Sequence, residues 1–435
     1  MNVSGGGDRI RAVALAVALA MAGTHAFAQQ QEQQHDWSIG VGAEYSDNIS
    51  RSAADEQSDT MVELDVRAAI ARQTARLQST LSADGAYREY LQDTYDSEFI
   101  GGVYGLAQLA IVPQRLVWAV EDNFSQIDVD QLAAETPDNR QNLNYFTTGP
   151  NLIFAIGSRM RLDLHGRWSD VDYETSPFDN RRYLGGVSLE RTVGPTTLLS
   201  LNATHQAVEF DDNTFTSDYD TQQYFLRWSS EASRSTLTAD MGYTTVRGFG
   251  GTSDGMIARA GFTRRVGARS LFTLNLGTEF SDSAEILRRS QSTRGIVRSN
   301  EDALAAADPL RADYADAALR LDGRRIAIVT RVRWRKESHE LQTLLDRKRL
   351  SGELSVSRRV SPRTTVQLRT GYEKEDFSVL ETEVNDWWAG GGISWRLVRG
   401  IQVRLDYTHF VGSGDIFARD YDENRVAFRV AYSPL

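Results

Sequence analysis

The 435-residue chain has no cysteine. Disulfides therefore contribute nothing, a thiolate zinc site is excluded, and no lipid-bearing cysteine is available to mark a lipoprotein export channel. Proline is scarce, with 8 residues against 34 glycines, which suits a sheet with close backbone packing better than a disordered chain. Beyond the N-terminal segment no stretch offers the ~18 apolar residues a membrane helix needs, so any crossing of a membrane is made by strands. Positive charge is in deficit as well. The formal charge of −11 argues against nucleic acid as a partner. Only six histidines occur, with no G-x-S-x-G elbow and no H-E-x-x-H pair. Of these, His165 and His409 neighbour carboxylates, and neither has a serine at a persuasive offset. The expectation is a protein that is not an enzyme and carries no metal or cofactor.

The N-terminus reads as an export signal. Arg9 and Arg11 precede AVALAVALAMA, an apolar run of 11 residues, and Ala26-Phe27-Ala28 forms an A-x-A site. The run is too short to span a bilayer and fits a signal peptide over 1–28. A polar lead-in is expected over 29–36 and a single barrel domain over 37–435. No plug or passenger domain is expected before the first strand.

What the chain has in abundance is alternation. In WSIGVGAEYSDNIS the residues Trp37, Ile39, Val41, Ala43 and Tyr45 are apolar or aromatic, and those between them are small or polar. Successive strand side chains point to opposite faces, so this is a strand with one greasy and one wet face. The pattern returns as Leu237–Tyr243, as Phe272, Leu274, Leu276, Thr278 and Phe280, as Ile326–Trp334, as Ile401–Tyr407 and as Val426–Tyr432. Short turns recur at 72–74, 113–115, 157–159, 194–196, 231–234, 267–269, 322–325, 361–363 and 398–400. Longer polar loops lie between them, including one of about 30 residues from Ser281 to Ala312. Nine hairpins plus a strand at each end predict a transmembrane antiparallel β-barrel of about 20 strands. Short turns would face the periplasm and long loops the exterior, in a Gram-negative outer membrane. A secreted sandwich or a propeller fits less well, because the strands are long and no blade motif repeats.

In such a barrel the greasy face meets lipid and the wet face lines a lumen. The wet faces carry Glu121, Arg161, Asp163, Arg167, Arg227, Arg425 and Arg429. The residues singled out as candidate lumen-lining groups are Arg331, Arg333, Arg335, Arg369, Glu373, Arg404 and Asp406. They form either a paired network holding the wall or a lumen that guides an anionic or polar solute. Glu373 and Asp406 are natural candidates to pair with the row Arg331, Arg333 and Arg335. Trp118, Trp168, Trp228, Trp334, Trp387 and Trp395 suit girdle positions at the bilayer boundary. Phe225, Trp388 and Phe410 are candidates to face inward. The acidic loops around 209–213 and 218–220 lack the spacing of a calcium loop and read as solvated, lipopolysaccharide-facing segments.

The segment Tyr45-Ser46-Asp47-Asn48-Ile49 resembles the opening of a β-barrel porin family. ADYADAALRLDGRRIAIVTRVRWRKE and SVSRRVSPRTTVQLRTGYEKED resemble outer-membrane proteins associated with PEP-CTERM/exosortase and exopolysaccharide loci. The resemblance spans the mature chain through soft motifs: a YSDNI start, GRR and SPRT turns, and alternation. It implies an outer-membrane barrel and no catalytic residues. One departure is the C-terminus, where Tyr432 stands three places before Leu435 instead of closing the chain.

Two functions follow as expectations. One is a conduit for exopolysaccharide export or polar solute passage, with lipid, lipopolysaccharide and a polysaccharide or polar solute as partners. The other is an accessory barrel with a blocked lumen; an outer-membrane hydrolase, whose triad would form in space and not in sequence, is the least favoured alternative. The 281–312 segment discriminates between them, because long barrel loops often fold inward.

Overall fold

The computed structural model describes residues 32–434, apart from Gln131, Asn213, Phe215 and residues 249–250, 295–298, 305–307 and 416–419. The signal-peptide segment 1–28 lies outside the described residues. Strands run in the order β1 (Glu32–Ser46), β2 (Asp59–Gln73), β3 (Leu77–Tyr90), β4 (Glu98–Val112), β5 (Leu116–Asp128), β6 (Arg140–Ile156) and β7 (Met160–Tyr173). They continue with β8 (Asn180–Gly194), β9 (Thr197–Phe210), β10 (Tyr219–Glu231), β11 (Ser235–Gly248), β12 (Gly251–Gly267) and β13 (Ser270–Ser281). A helix α1 (Ser283–Arg294) and a short strand β14 (Ser299–Leu304) follow. The chain ends with β15 (Leu310–Asp322), β16 (Ile326–His339), β17 (Arg347–Arg359), β18 (Thr364–Phe377), β19 (Thr382–Val398), β20 (Ile401–Gly414) and β21 (Tyr421–Tyr432).

Apart from β14, the twenty strands form a closed antiparallel barrel, each paired with its chain neighbours. Closure is made by β1 and β21, from Ile39↔Tyr432 to Ser46↔Arg425. Closure leaves no edge strand, so the paired wall amides and carbonyls satisfy one another without water, which is what hydrocarbon demands of strands. Strand lengths of 12 to 17 residues suffice for a tilted crossing at ~3.3 Å per residue. All nine short turns fall where alternation breaks, so β2 turns to β3 and β19 to β20 on one rim. The other rim carries the longer connections, with two exceptions: Gly248 of β11 pairs with Gly251 of β12, and Phe377 of β18 pairs with Thr382 of β19.

The outer face is apolar along its length. Val41, Leu64, Leu201, Met241, Val332 and Leu368 are among its most exposed side chains. A continuous apolar surface of this kind is an aggregation hazard in water and is the pattern that strands turned to hydrocarbon carry. Val403 shares this face with Leu405 and Tyr407 but stands only two residues into β20, near the short-turn rim. Trp118, Trp168, Trp228, Trp334 and Trp387 are exposed there, and Trp118 Nε1 donates to Thr148 Oγ1 at 2.8 Å. At the seam Trp37 and Tyr432 meet edge to face.

Two expectations are corrected. Residues 32–36 are not a free lead-in: they extend β1 and pair with Ala69–Gln73 of β2. A neighbouring strand edge satisfies backbone groups whatever the side chains, so polarity did not end the strand. Phe280, placed by alternation with exposed Leu276, is buried against Val208, Phe210, Tyr219 and Val246. The β12–β13 pairing stops at Ala258↔Thr278 while β13 stays paired with β15 as far as Ser281, and the Phe280 ring lies over Gly255, whose missing side chain leaves room for it.

Candidate functional site

The interior begins with the strands' polar alternates. On β16, Arg331, Arg333 and Arg335 stand on the face opposite Val332 and Trp334. Their partners are Asp316 on β15 for Arg331, Glu353 on β17 for Arg333 at 3.0 Å, and Glu337 on β16 itself for Arg335 at 2.7 Å. Among the ion pairs within the described residues, Glu373 is joined to Arg349 and Asp406 to Arg369 and Arg404, at 3.4 and 2.5 Å. The expected pairing of the arginine row with Glu373 and Asp406 is therefore corrected. Guanidinium groups reach adjacent strands along the diagonal, and β18 and β20 lie beyond that reach. Near the long-loop rim the network becomes dry: Arg347 bridges Glu337 at 2.7 Å and Glu375 at 2.9 Å, all three buried.

The opposite side of the interior is occupied by α1. Asp282 precedes the helix and caps it, accepting the Glu285 N–H at 3.1 Å. The same carboxylate receives Nη1 and Nη2 of Arg182 on β8, both at 2.9 Å, and the Tyr219 hydroxyl at 3.2 Å. Such bidentate charge-assisted contacts fix orientation as well as position. Ala284 and Leu287, one helical turn apart, are fully buried with Ile127, Leu143, Tyr145, Val171 and Tyr173 of the wall. The far end of the segment is anchored by Asp308, which accepts N–H groups of Leu341 and Gln342 and meets His339 Nδ1 at 3.2 Å. Burial would push the Asp308 carboxyl up; the His339 hydrogen bond and the backbone donors outweigh it and hold it below the ordinary value. His339 is buried and had no local signal in sequence, because its partner lies 31 residues upstream. The β14 backbone pairs in parallel with β5 at Ser299↔Gln126 and Leu304↔Asp128.

A polar lattice ties α1 to the wall. Arg288 reaches Glu121 at 3.2 Å and Glu285 at 2.7 Å. Arg289 reaches Glu279 at 2.7 Å and Glu285 at 2.8 Å. Attraction to the Glu285 carboxylate raises the Arg288 pKa despite burial. Burial pushes Glu285 up, but Arg288 and Arg289 prevail and hold it well below the usual carboxylate range. Beneath the helix lies a cavity of about 370 Å³, bordered by Arg167, His165, Gln206, Gln223, Phe225 and Arg259 among others. Phe225 faces inward under the guanidinium groups of Arg259 and Arg227, at 5.0 and 5.5 Å. Phe410 also faces inward, beneath Arg51 and Arg425. Arg51 comes from the loop after β1 and pairs with Glu135 and Glu423, each at 3.1 Å, so a second loop of the long-loop rim reaches into the barrel.

No family model matches the chain, and no curated protein matches it. Among solved structures it is similar to OccK2 (OpdF) of Pseudomonas aeruginosa, at 11% identity over 92% of this chain and 98% of that one, with a TM-score of 0.38. A BenF-like porin from Pseudomonas fluorescens Pf-5 matches at 10% identity over 92% and 99%, TM-score 0.39. The ferric enterobactin receptor PfeA of Pseudomonas aeruginosa matches at 8% over 93% and 81%, TM-score 0.46. At these identities no solute or partner passes from them to this chain. The closed antiparallel barrel of twenty strands is shown by the chain's own strand pairing.

Proposed function

We propose that the barrel is a conduit for polar solutes, narrowed from the outside by the segment that carries α1. The observation that carries this reading is the cavity between α1 and the wall. It is bordered by charged and amide side chains, whereas a purely structural plug would bury its helix in apolar contact alone. Away from that cavity, Arg331, Arg333, Arg335, Arg369, Glu373, Arg404 and Asp406 are the barrel's lumen-lining groups, which act as a mixed-charge wall for a hydrated solute. Exopolysaccharide export is the more specific form of this function, supported by the resemblance of the β15–β18 sequence to barrels of exopolysaccharide loci. The test is single-channel conductance of refolded protein in a planar bilayer. Replacing residues 283–309 by a short glycine-serine turn is expected to raise conductance severalfold over the wild type.

A second reading, an accessory barrel with a blocked lumen, is favoured by the dry anchoring of α1 through Arg182 and Asp282. It predicts no conductance in the wild type and open channels only in the shortened variant.

A further inference from the structure

The guanidinium groups that border the cavity beneath α1 are of two kinds. Arg227 meets Asp240 at 2.7 Å, Arg259 meets Glu279 at 2.9 Å, and Arg288 and Arg289 both meet Glu285. Arg167 on β7 is different. Its Nη1 donates to the carbonyl oxygens of Pro150 and Gly166, at 3.1 and 2.7 Å, and its Nη2 donates to Asn151 Oδ1 at 2.7 Å. Among the described residues no carboxylate forms an ion pair with it. Three neutral acceptors hold the group in place and leave the Nε–H and one Nη2–H. That edge is the one with which Arg227 grips Asp240 and Arg404 grips Asp406. A guanidinium fixed this way is a preformed two-pronged receptor for a carboxylate.

The register shows what stands beside it. Arg167 pairs with Leu184, Leu184 with Gln206, and Gln206 with Thr221, one row across four strands of the inner wall. The adjacent row carries Thr204 and Gln223 as a direct pair. The side chains of Gln206, Thr221, Thr204 and Gln223 border the cavity and have no hydrogen-bond partner among the described residues. Amides and hydroxyls that face a cavity without protein partners are free for hydroxyl groups of a ligand. Leu184, between Arg167 and Gln206, supplies an apolar patch for the face of a sugar ring.

We propose that this cavity is a binding site for a sugar-sized hydroxylated carboxylate, a uronic acid or a uronate unit of a polysaccharide. Its carboxylate sits on the Nε/Nη2 edge of Arg167 and its hydroxyls on the two glutamines and two threonines. This inference rests on the conduit reading only for its biological purpose; binding itself can be measured without conduction. Calorimetric titration of the refolded full-length protein with galacturonate is expected to saturate. Galactose and methyl galacturonate, which lack the anionic carboxylate, bind at least about 10-fold more weakly, the loss expected for one charge-assisted fork. Arg167→Gln produces the same loss, and Arg167→Lys restores only part of it, because an ammonium cannot make the fork. Gln206→Ala with Gln223→Ala weakens galacturonate severalfold and leaves binding of acetate unchanged. Tighter binding of trigalacturonate than of galacturonate assigns the ligand to a polymer, and the reverse assigns it to a free sugar acid. Equal binding of galacturonate and galactose by the wild type overturns the site without recourse to any variant, and so does undiminished binding by a folded Arg167→Gln. A barrel that conducts but never saturates with galacturonate removes this site and keeps the conduit; one that binds but never conducts does the opposite.

Discussion

The two sides of the barrel interior bury charge by different means. Along β5–β8 the cover is α1: Ile127, Leu143 and Leu287 are fully buried, and Arg182 is 2% exposed beneath the segment that begins the helix. Along β16–β18 charged groups cover one another. Arg347 is equally buried, yet its neighbours are Glu337 and Glu375, and toward the short-turn rim the same wall opens until the Arg369 side chain is 34% exposed. The first arrangement joins a removable element to the wall, and the second joins wall strands to one another. Damage to the second should therefore weaken the barrel, and damage to the first should only release α1.

The largest effect is expected at Arg347. Arg347→Met leaves two buried carboxylates without their shared cation, a lesion of about 3–5 kcal/mol. The measurement is the temperature at which the unboiled, compact band on a gel converts to the unfolded one. It should fall clearly, and an unchanged transition would show that the network does not hold the strands.

Arg182→Leu removes a buried partner of similar intrinsic worth, about 3–5 kcal/mol, but the loss is borne by α1 docking. Protease should then cut within the 283–309 segment while the barrel band keeps its wild-type transition. A lowered transition temperature with α1 still protected would erase the distinction between the two sides.

Much of the wall was legible in sequence, and little of this distinction was. Period-two alternation and nine turn signals are local properties, so they gave the strands and the inward direction of Arg331, Arg333 and Arg335. The partner of a charge is not local. Arg182 and Asp282 are 100 residues apart, and only closure of the barrel with α1 inside brings them together. Asp316 and Glu353 pair with the arginine row because of register and twist, which alternation does not encode. Arg167 stood among the wet-face arginines with nothing to mark it, since lacking a carboxylate is a property of its neighbours. Phe280 was misplaced because the end of a strand pairing, which alternation cannot see, decided its side.

Acid should separate the two sides more gently. Glu285 has its folded-state pKa lowered, so its contribution to α1 docking is fully present above the unfolded carboxylate value of about 4.3. It is lost only as pH falls below that value, through the depressed folded one. Protease protection of the α1 segment should therefore stay constant from neutral pH to about 5 and decline below about 4. In Glu285→Gln that acid step should be reduced, with weaker protection at neutral pH. Release of the segment between pH 7 and 5 would contradict the assigned role of Glu285.

The smallest energetic effect is expected at Arg333, whose partner carboxylate stands open to water. Its partner Glu353 is 51% exposed in the side chain, so the pair contributes about 0–1 kcal/mol to stability. Arg333→Glu should leave the heat-dependent gel shift unchanged, unlike Arg347→Met. It places a second carboxylate beside Glu353 and reverses the local field of that part of the wall. Neighbouring Arg331 and Arg335 keep their own carboxylate partners on β15 and β16, so they compensate little. If the charged wall faces the conducting path, the reversal potential in a salt gradient should move toward cation preference, and the shift should shrink as salt screens the wall. A folded variant with unchanged selectivity would mean that ions pass elsewhere, along the cavity side beneath α1, and the two sides would exchange their proposed roles.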